Sequence, residues 1–180
     1  AGYPHIEAQA TNSLGELARL NDDLQRAREH YEDFYNLVRD FASPFNEGVA
    51  LLNLAQTEIA AGEFQRAEEC LESAQRTFDS LGTQSRDITI AVARLTLAAS
   101  VGDWRRFDAK WNAFQDGWSD DGPLQTDFPW LLERAAEFCL DAGEARRARD
   151  VLGLAHRLWD RLGNDEGVER VERLQRAAPD

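Results

Sequence analysis

The residues that could perform chemistry are few and lie far apart in the sequence. The three histidines are His5, His30 and His156, and the two cysteines, Cys70 and Cys139, are 69 positions apart. No second cysteine or histidine stands at the spacing that a zinc site requires. The sequence also lacks a glycine-rich phosphate loop, a His-Glu-x-x-His motif and a nucleophile elbow. We therefore expect no catalytic residue, no metal site and no cofactor, and a protein that is not an enzyme.

Composition narrows the choice of partner and compartment. A net charge of −13 repels phosphate backbones and anionic lipids, so neither nucleic acid nor a membrane surface is an expected partner. The longest apolar runs, such as residues 49–52, fall far short of the roughly 18 residues that a membrane span needs, and no secretory signal is expected. Two isolated cysteines are typical of reduced, buried thiols in a cytoplasmic protein. Lys110 is the single lysine among 20 basic residues, a bias that either a GC-rich genome or adaptation to high salt would produce.

Self-similarity along the chain indicates how the elements are arranged. Residues 14–27 align with 54–67, and related segments begin at Gly102 and Gly143, so one pattern recurs four times at intervals of 40 or 41 residues. A second marker ends each copy in the same phase, at 78–82, 118–122 and 159–163, with a weaker version at 38–42. Between the markers, apolar residues follow helical spacing, and no segment alternates with a period of two. The sequence therefore predicts an all-α protein built from helical hairpins.

Glycine before an acidic residue can end one helix of each hairpin and open the next, because glycine adopts the left-handed conformation readily. On this basis we expect joints at Asp22, Gly62, Gly102 and Gly143. The hairpins are predicted over 5–42, 45–82, 85–122 and 126–163, followed by a capping helix over 165–176, all in one domain spanning 1–180. The predicted helices are 5–20, 24–41, 46–61, 64–81, 86–101, 104–118, 127–142, 145–162 and 165–176.

These hairpins resemble the tetratricopeptide repeat family, whose pattern places Leu-Gly on the first helix, an acidic turn, and alanines on the second helix. The second hairpin matches best, and its matching positions are Leu51, Leu54, Ala55, Gly62, Phe64, Ala67, Leu71 and Ala74. Small residues such as Gly15 and Ala67 allow two helices to approach closely. The period of 40 is similar to that of long-helix repeats joined to bacterial kinases, ATPases and transcription regulators.

The resemblance implies a right-handed superhelix whose concave groove holds a peptide or a helical segment of a protein partner, without catalysis. It places these residues in the groove: Asn12, Glu16, Arg19, Val49, Leu52, Asn53, Gln56, Ile59, Val92, Thr96, Trp130, Arg134 and Glu137. Gln9 and Ser13 are further inward positions. A clamp for a C-terminal carboxylate is disfavoured, since Glu16 occupies a position where an amide would be needed.

The third hairpin departs from the family pattern, because Phe107 stands where alanine is expected. Seven aromatic residues occur within residues 104–130. Trp104, Phe107, Trp111 and Phe114 are expected to fill a widened junction between the third and fourth hairpins, to form an exposed contact with a partner or with a second copy in a homodimer, or to do both. The alternative to a peptide-binding module is therefore a regulatory or self-associating segment of a larger bacterial signalling protein.

Overall fold

The structure, a computed structural model, describes residues 4–118 and 126–178. Within these ranges every regular element is an α-helix. The nine described helices are α1 (Pro4–Leu20), α2 (Leu24–Asp40), α3 (Pro44–Ala61), α4 (Phe64–Ser80), α5 (Asp87–Ser100), α6 (Trp104–Gly117), α7 (Asp127–Asp141), α8 (Ala145–Arg161) and α9 (Asp165–Ala177). Each predicted helix end lies within two residues of an observed one. The prediction of an all-α helical repeat is confirmed.

The joints inside the hairpins lie where the sequence predicted them. The backbone has a positive φ at Asp22 (59°), Gly62 (79°), Gly102 (67°) and Gly143 (77°). After Gly62, the Glu63 amide donates to the Glu58 carbonyl over 2.9 Å, which satisfies a carbonyl that the helix end leaves open. Three of the four joints use glycine because a residue without Cβ reaches this conformation at little cost.

The acidic residue after two of these joints begins the second helix. The carboxylate of Asp23 accepts a hydrogen bond from the Arg26 amide, and that of Asp103 accepts one from the Arg106 amide. Such N-caps satisfy backbone donors that the first turn of a helix leaves open. The second marker also ends helices with a positive φ, at Ala42, Gly82 and Gly163. Its copy at 118–122 lies almost wholly outside the described residues.

The chain divides into two compact halves, Ala1–Ile90 and Ala91–Asp180. In the N-terminal half, α1 packs on α2, α2 on α3, and α3 on α4. Gly15 shows why small residues recur: a Cβ added there would lie 2.6 Å from the Tyr31 ring. Ala27 and Ala67 are fully buried. The close approach predicted at these positions is therefore confirmed.

In the C-terminal half, α7 packs on α8 and α8 on α9. The Trp159 ring lies against Gly167, where a Cβ would come within 2.5 Å of it. Buried Glu133 accepts hydrogen bonds from the Trp159 indole and from Arg170 Nε, the latter over 3.0 Å. Burial raises the pKa of Glu133, although Arg170 and Trp159 act in the opposite direction. Helix α9 is thus tied to both helices of the hairpin before it.

Candidate functional site

A groove of about 450 Å³ lies in the N-terminal half, where α1 and α3 meet beside the end of α2. Helix α1 contributes one wall and α3 the other, and both are the first helices of their hairpins. The groove is lined by His5, Ala8, Gln9, Asn12, Ser13, Phe34, Phe41, Phe45, Asn46, Val49 and Arg86. These residues come from four separate stretches of sequence, so the groove exists only in the folded chain.

The inner part of the groove is apolar. Ala8 and Phe34 are buried and pack together with Val38 and Ala50. Phe41 and Val49 pack against the same cluster and remain partly exposed. The imidazole of His5 meets the Phe41 ring edge to face, with centroids 4.6 Å apart. An apolar side chain entering the groove would therefore exchange water for aromatic and aliphatic contacts.

The rim carries amides, a hydroxyl and one guanidinium. Gln9, Ser13 and Asn46 supply neutral polar groups, and the Arg86 guanidinium lies 5.9 Å from the centroid of the Phe45 ring. Among the residues that the structure describes, no carboxylate lines the groove. The lining of the groove is thus less acidic than expected for a chain of net charge −13. The groove is therefore more favourable for neutral or anionic groups than the rest of the surface.

Asn12 connects the two walls. Its Oδ1 accepts a hydrogen bond from Asn53 Nδ2 over 2.8 Å, and its Nδ2 donates to Glu16 over 2.9 Å. Asn53 is buried, whereas the Glu16 side chain is exposed. The amide of Asn12 is therefore held in one orientation at the groove edge, with both of its polar atoms engaged.

The structure separates the predicted groove residues by accessibility. Asn12 and Val49 line the groove, and Glu16 is exposed beside it. Seven others are buried, namely Arg19, Leu52, Asn53, Gln56, Ile59, Val92 and Thr96. Among the described residues, neither the oxygen nor the nitrogen of the Gln56 amide has a hydrogen-bond partner. Contact between these buried residues and a peptide stays a prediction, because a partner could reach them only after rearrangement of the helices.

The remaining predicted groove residues, Trp130, Arg134 and Glu137, form a separate group on α7 in the C-terminal half. All three are partly exposed. The Arg134 guanidinium lies 5.6 Å from the centroid of the Trp130 ring, and it pairs with Glu137 over 3.0 Å. In the same half, the Thr96 hydroxyl lies 3.0 Å from the Leu131 carbonyl, which joins α5 to α7.

The aromatic residues of α6 lie mainly inside the C-terminal half. Phe107 is 1% exposed, and Trp111 and Phe114 are also buried, whereas Trp104 is partly exposed beneath the Arg147 guanidinium. Trp111 and Phe114 stack with centroids 5.8 Å apart, and the stack continues to Trp118. These rings border a second cleft of about 320 Å³ between α6 and α8. Their contact with a second copy stays a prediction.

Sequence reasoning missed several lining residues. Phe45 and Asn46 lie one helical turn before Val49, so extending the helical spacing backwards from Val49 would have found them. Arg86 immediately precedes α5 and belongs to no helical pattern. Phe34 and Phe41 come from the second helix α2 and its C-cap, whereas the groove was expected to be lined mainly by first helices.

Neither of the two cysteine thiols in the described structure is activated by its surroundings. Burial raises the pKa of the Cys70 thiol to about 11 and that of the Cys139 thiol to about 12, so both are protonated at neutral pH. Cys139 is buried as expected, whereas Cys70 is only half-buried, which corrects the expectation for that residue. Among the described residues, no group of three or more His, Cys, Asp or Glu side chains is placed to hold a metal ion. The described helices are all too short or too polar to cross a lipid bilayer.

Comparison with known proteins agrees with the geometry. Residues 6–80, which contain nearly all of α1, the whole of α2–α4 and most of the groove, match the family model described as tetratricopeptide repeat. No curated protein matches the chain significantly. The matched region has the hairpins, the joints at Asp22 and Gly62 and the small residues at helix crossings that this family requires. Residues 6–80 therefore form a tetratricopeptide repeat region.

Proposed function

We propose that this protein is a non-catalytic module that binds a short peptide segment of a protein partner in the groove between α1 and α3. The observation that supports this proposal best is the groove itself, with its apolar inner part, amide-bearing rim and absence of lining carboxylates. Tetratricopeptide repeat proteins are, in general, protein interaction scaffolds, and this agrees with the proposal. A cytoplasmic location and a bacterial origin remain predictions from composition and repeat length.

The peptide would insert an apolar side chain towards Ala8, Phe34 and Val49, where burial contributes about 1.5–3 kcal/mol. Its backbone would exchange hydrogen bonds with the amides of Gln9 and Asn46 on the rim. Arg86 favours a peptide with a carboxylate near the apolar side chain, since guanidinium groups form the strongest hydrogen bonds to carboxylates. We therefore expect bound peptides to be enriched in an aromatic or large aliphatic residue next to an acidic one.

The test changes the charge of exposed side chains on the groove rim rather than the size of buried ones, so that the fold is preserved. Gln9→Glu with Ser13→Glu places two carboxylates on the exposed rim of the groove. Peptides selected from a random library against the natural chain should bind this variant at least tenfold more weakly, about 1.4 kcal/mol, because both new charges repel an acidic ligand.

The matched control is Gln25→Glu with Gln65→Glu, which adds the same charge on exposed positions of α2 and α4. Its affinity for the peptides should equal that of the natural chain. Equal weakening in both variants would mean that overall charge, rather than the groove, governs binding, and no weakening in either would place the peptide elsewhere.

Self-association through α6 is the second proposal, supported by the cleft that Trp111, Phe114 and Trp118 border between α6 and α8. Trp104 is the partly exposed member of the predicted set. A sedimentation measurement on the natural chain and on Trp104→Ala distinguishes the two proposals. A monomer in both samples would eliminate self-association.

A further inference from the structure

The outer side of α1 bears an exposed apolar stripe. Ile6, Leu14 and Leu17 are 61%, 49% and 57% exposed, and Ala10 lies between them on the same side of the helix. The opposite side of α1 is buried, with Gly15 against Tyr31 and Ala8 against the core. Three large exposed apolar side chains aligned on one helix form a patch rather than the scattered apolar residues of an ordinary surface.

Helix α3 shows what covers such a stripe within this fold. Ala50, Leu54 and Thr57 are the positions 40 residues after Ala10, Leu14 and Leu17, and all three are buried.

The covering element is α2, an amphipathic helix. Leu54 clusters with Ala27 and Tyr31, and Ala50 clusters with Phe34 and Val38. The outer side of α1 therefore has the form of a surface that receives an amphipathic helix with small and aromatic residues on one face.

The charged side chains beside the stripe indicate which kind of helix would dock on it. The exposed charged side chains described on α1 are the carboxylates of Glu7 and Glu16, which flank the stripe on either side. Glu47, the α3 counterpart of Glu7, accepts a hydrogen bond from the Tyr35 hydroxyl of α2 over 3.3 Å. An acidic border disfavours anionic lipid and disfavours a second copy of a chain with net charge −13. It favours a helix whose flanks carry arginine or lysine.

We propose that the outer face of α1, formed by Ile6, Ala10, Leu14 and Leu17, docks a basic amphipathic helix of a partner protein. This surface is independent of the groove proposed above, because Leu14 and Leu17 do not line it.

The chain itself supplies a suitable probe. A synthetic peptide of residues 145–161 has the amphipathic pattern of a second helix and carries five arginines and two aspartates. A peptide of residues 24–40 has a similar pattern but carries three arginines and four acidic residues. The full chain should bind the first peptide more tightly than the second, and added salt should reduce the difference. Equal affinity for both peptides, or no binding of either, would overturn the proposal.

Variants of the full chain locate the contact. Leu17→Glu should weaken binding of the basic peptide at least tenfold, because the substitution replaces a buried apolar contact with a carboxylate. Leu81→Glu, at another exposed leucine of the N-terminal half, should leave affinity unchanged. Glu7→Lys should weaken binding about threefold at low salt, whereas Glu29→Lys, on the exposed side of α2, should not.

The oligomeric state of the protein shows whether a partner helix or a second copy of the chain covers the α1 stripe. The natural chain should not associate through the α1 stripe before the peptide is added, so Leu17→Glu should leave its oligomeric state unchanged. A dimer that Leu17→Glu converts to a monomer would show that a second copy covers the stripe, and would contradict the proposal. Binding of the basic peptide that Leu17→Glu leaves unchanged would contradict it as well, without affecting the groove proposal.

Discussion

The two halves of the molecule place an arginine at the same point of the repeat and pair it differently. Arg66 lies four residues after Gly62, and Arg147 lies four residues after Gly143. Arg66 pairs with Glu58 over 3.3 Å and with Glu32 over 2.6 Å. Arg147 pairs with Asp108 over 2.7 Å. The repeat thus fixes the position of the cation, while its partner differs between the halves.

The two halves differ in which helices supply the charged residues around this arginine. Glu58 on α3 and Cys139 on α7 occupy the same position before the joint, and Arg28 on α2 corresponds to Asp108 on α6. In the N-terminal half, the Glu58 carboxylate accepts from Arg28 Nε over 2.8 Å as well as pairing with Arg66. In the C-terminal half, Asp108 supplies a carboxylate from the second helix α6, as Glu32 does from α2, but Cys139 takes the place of the first-helix carboxylate. The comparison shows that the repeat specifies where an ion pair forms, rather than which residue supplies each charge.

Burial makes the two arrangements unequal in energy. The Glu58 side chain is fully buried, whereas that of Asp108 is 49% exposed. A buried carboxylate depends on its cations to offset the loss of hydration, while an exposed one can return to water. The N-terminal half should therefore be much more sensitive to loss of its arginines.

Removing both cations from Glu58 should have the largest effect. Arg28→Met with Arg66→Met retains much of the apolar stem of each side chain but leaves a buried carboxylate without a cation. The free energy of unfolding, measured with urea, should fall by about 3–5 kcal/mol. Arg147→Met in the other half is the matched control and should lower it by about 1 kcal/mol or less. Similar losses in the two variants would show that burial does not distinguish the two arrangements.

Replacing the ion-pair residues of the N-terminal half with those of the C-terminal half should have an intermediate effect on the unfolding free energy. Glu58→Cys alone removes the shared partner of Arg28 and Arg66, at a cost of about 1.5–3 kcal/mol in unfolding free energy. Adding Arg28→Asp recreates the residues of the C-terminal half at these two positions and gives Arg66 a second carboxylate besides Glu32.

A double-mutant cycle on these two substitutions should yield a favourable coupling of about 1 kcal/mol. Additive losses would mean that the two halves differ in backbone geometry as well as in sequence, so that the pairing cannot be transferred.

The pH dependence of the exposed pair should be the smallest effect. The hydrogen bond from Arg147 holds the pKa of Asp108 below its ordinary value. A carboxylate with a lowered pKa in the folded state stabilises that state above about pH 4, and the contribution is lost as pH falls through the folded pKa. Asp108→Asn should therefore reduce the unfolding free energy by under about 1 kcal/mol at neutral pH. At a pH below the folded pKa of Asp108, the substitution should have no effect on the unfolding free energy. Urea unfolding curves recorded at neutral pH and below the folded pKa of Asp108 test this prediction. An equal loss of unfolding free energy at the two pH values would exclude an electrostatic origin.

The sequence predicted the helices and joints closely because both depend on local interactions. The conformation needed at Gly62 and Gly143 is encoded by the residue itself, and the caps at Asp23 and Asp103 involve the next turn of the same helix. Repetition added to this accuracy, since four copies of one pattern show the same boundary four times.

The groove was harder to predict because accessibility depends on distant packing. Helix α3 is buried at every position from Leu52 to Ile59, so it has no exposed face in that stretch for a helical pattern to show. Periodicity placed Leu52 and Ile59 on the expected side of the helix but could not show that other elements cover them. Arg86 lies on a connecting segment, where no period applies.

Mapping a selected peptide on the folded chain by NMR tests the central claim most directly. The amide signals that shift on binding should belong to Gln9, Asn46, Val49 and their neighbours around the groove. Shifts confined to α6, or to the Leu14 and Leu17 side of α1, would contradict the assignment of peptide binding to the groove.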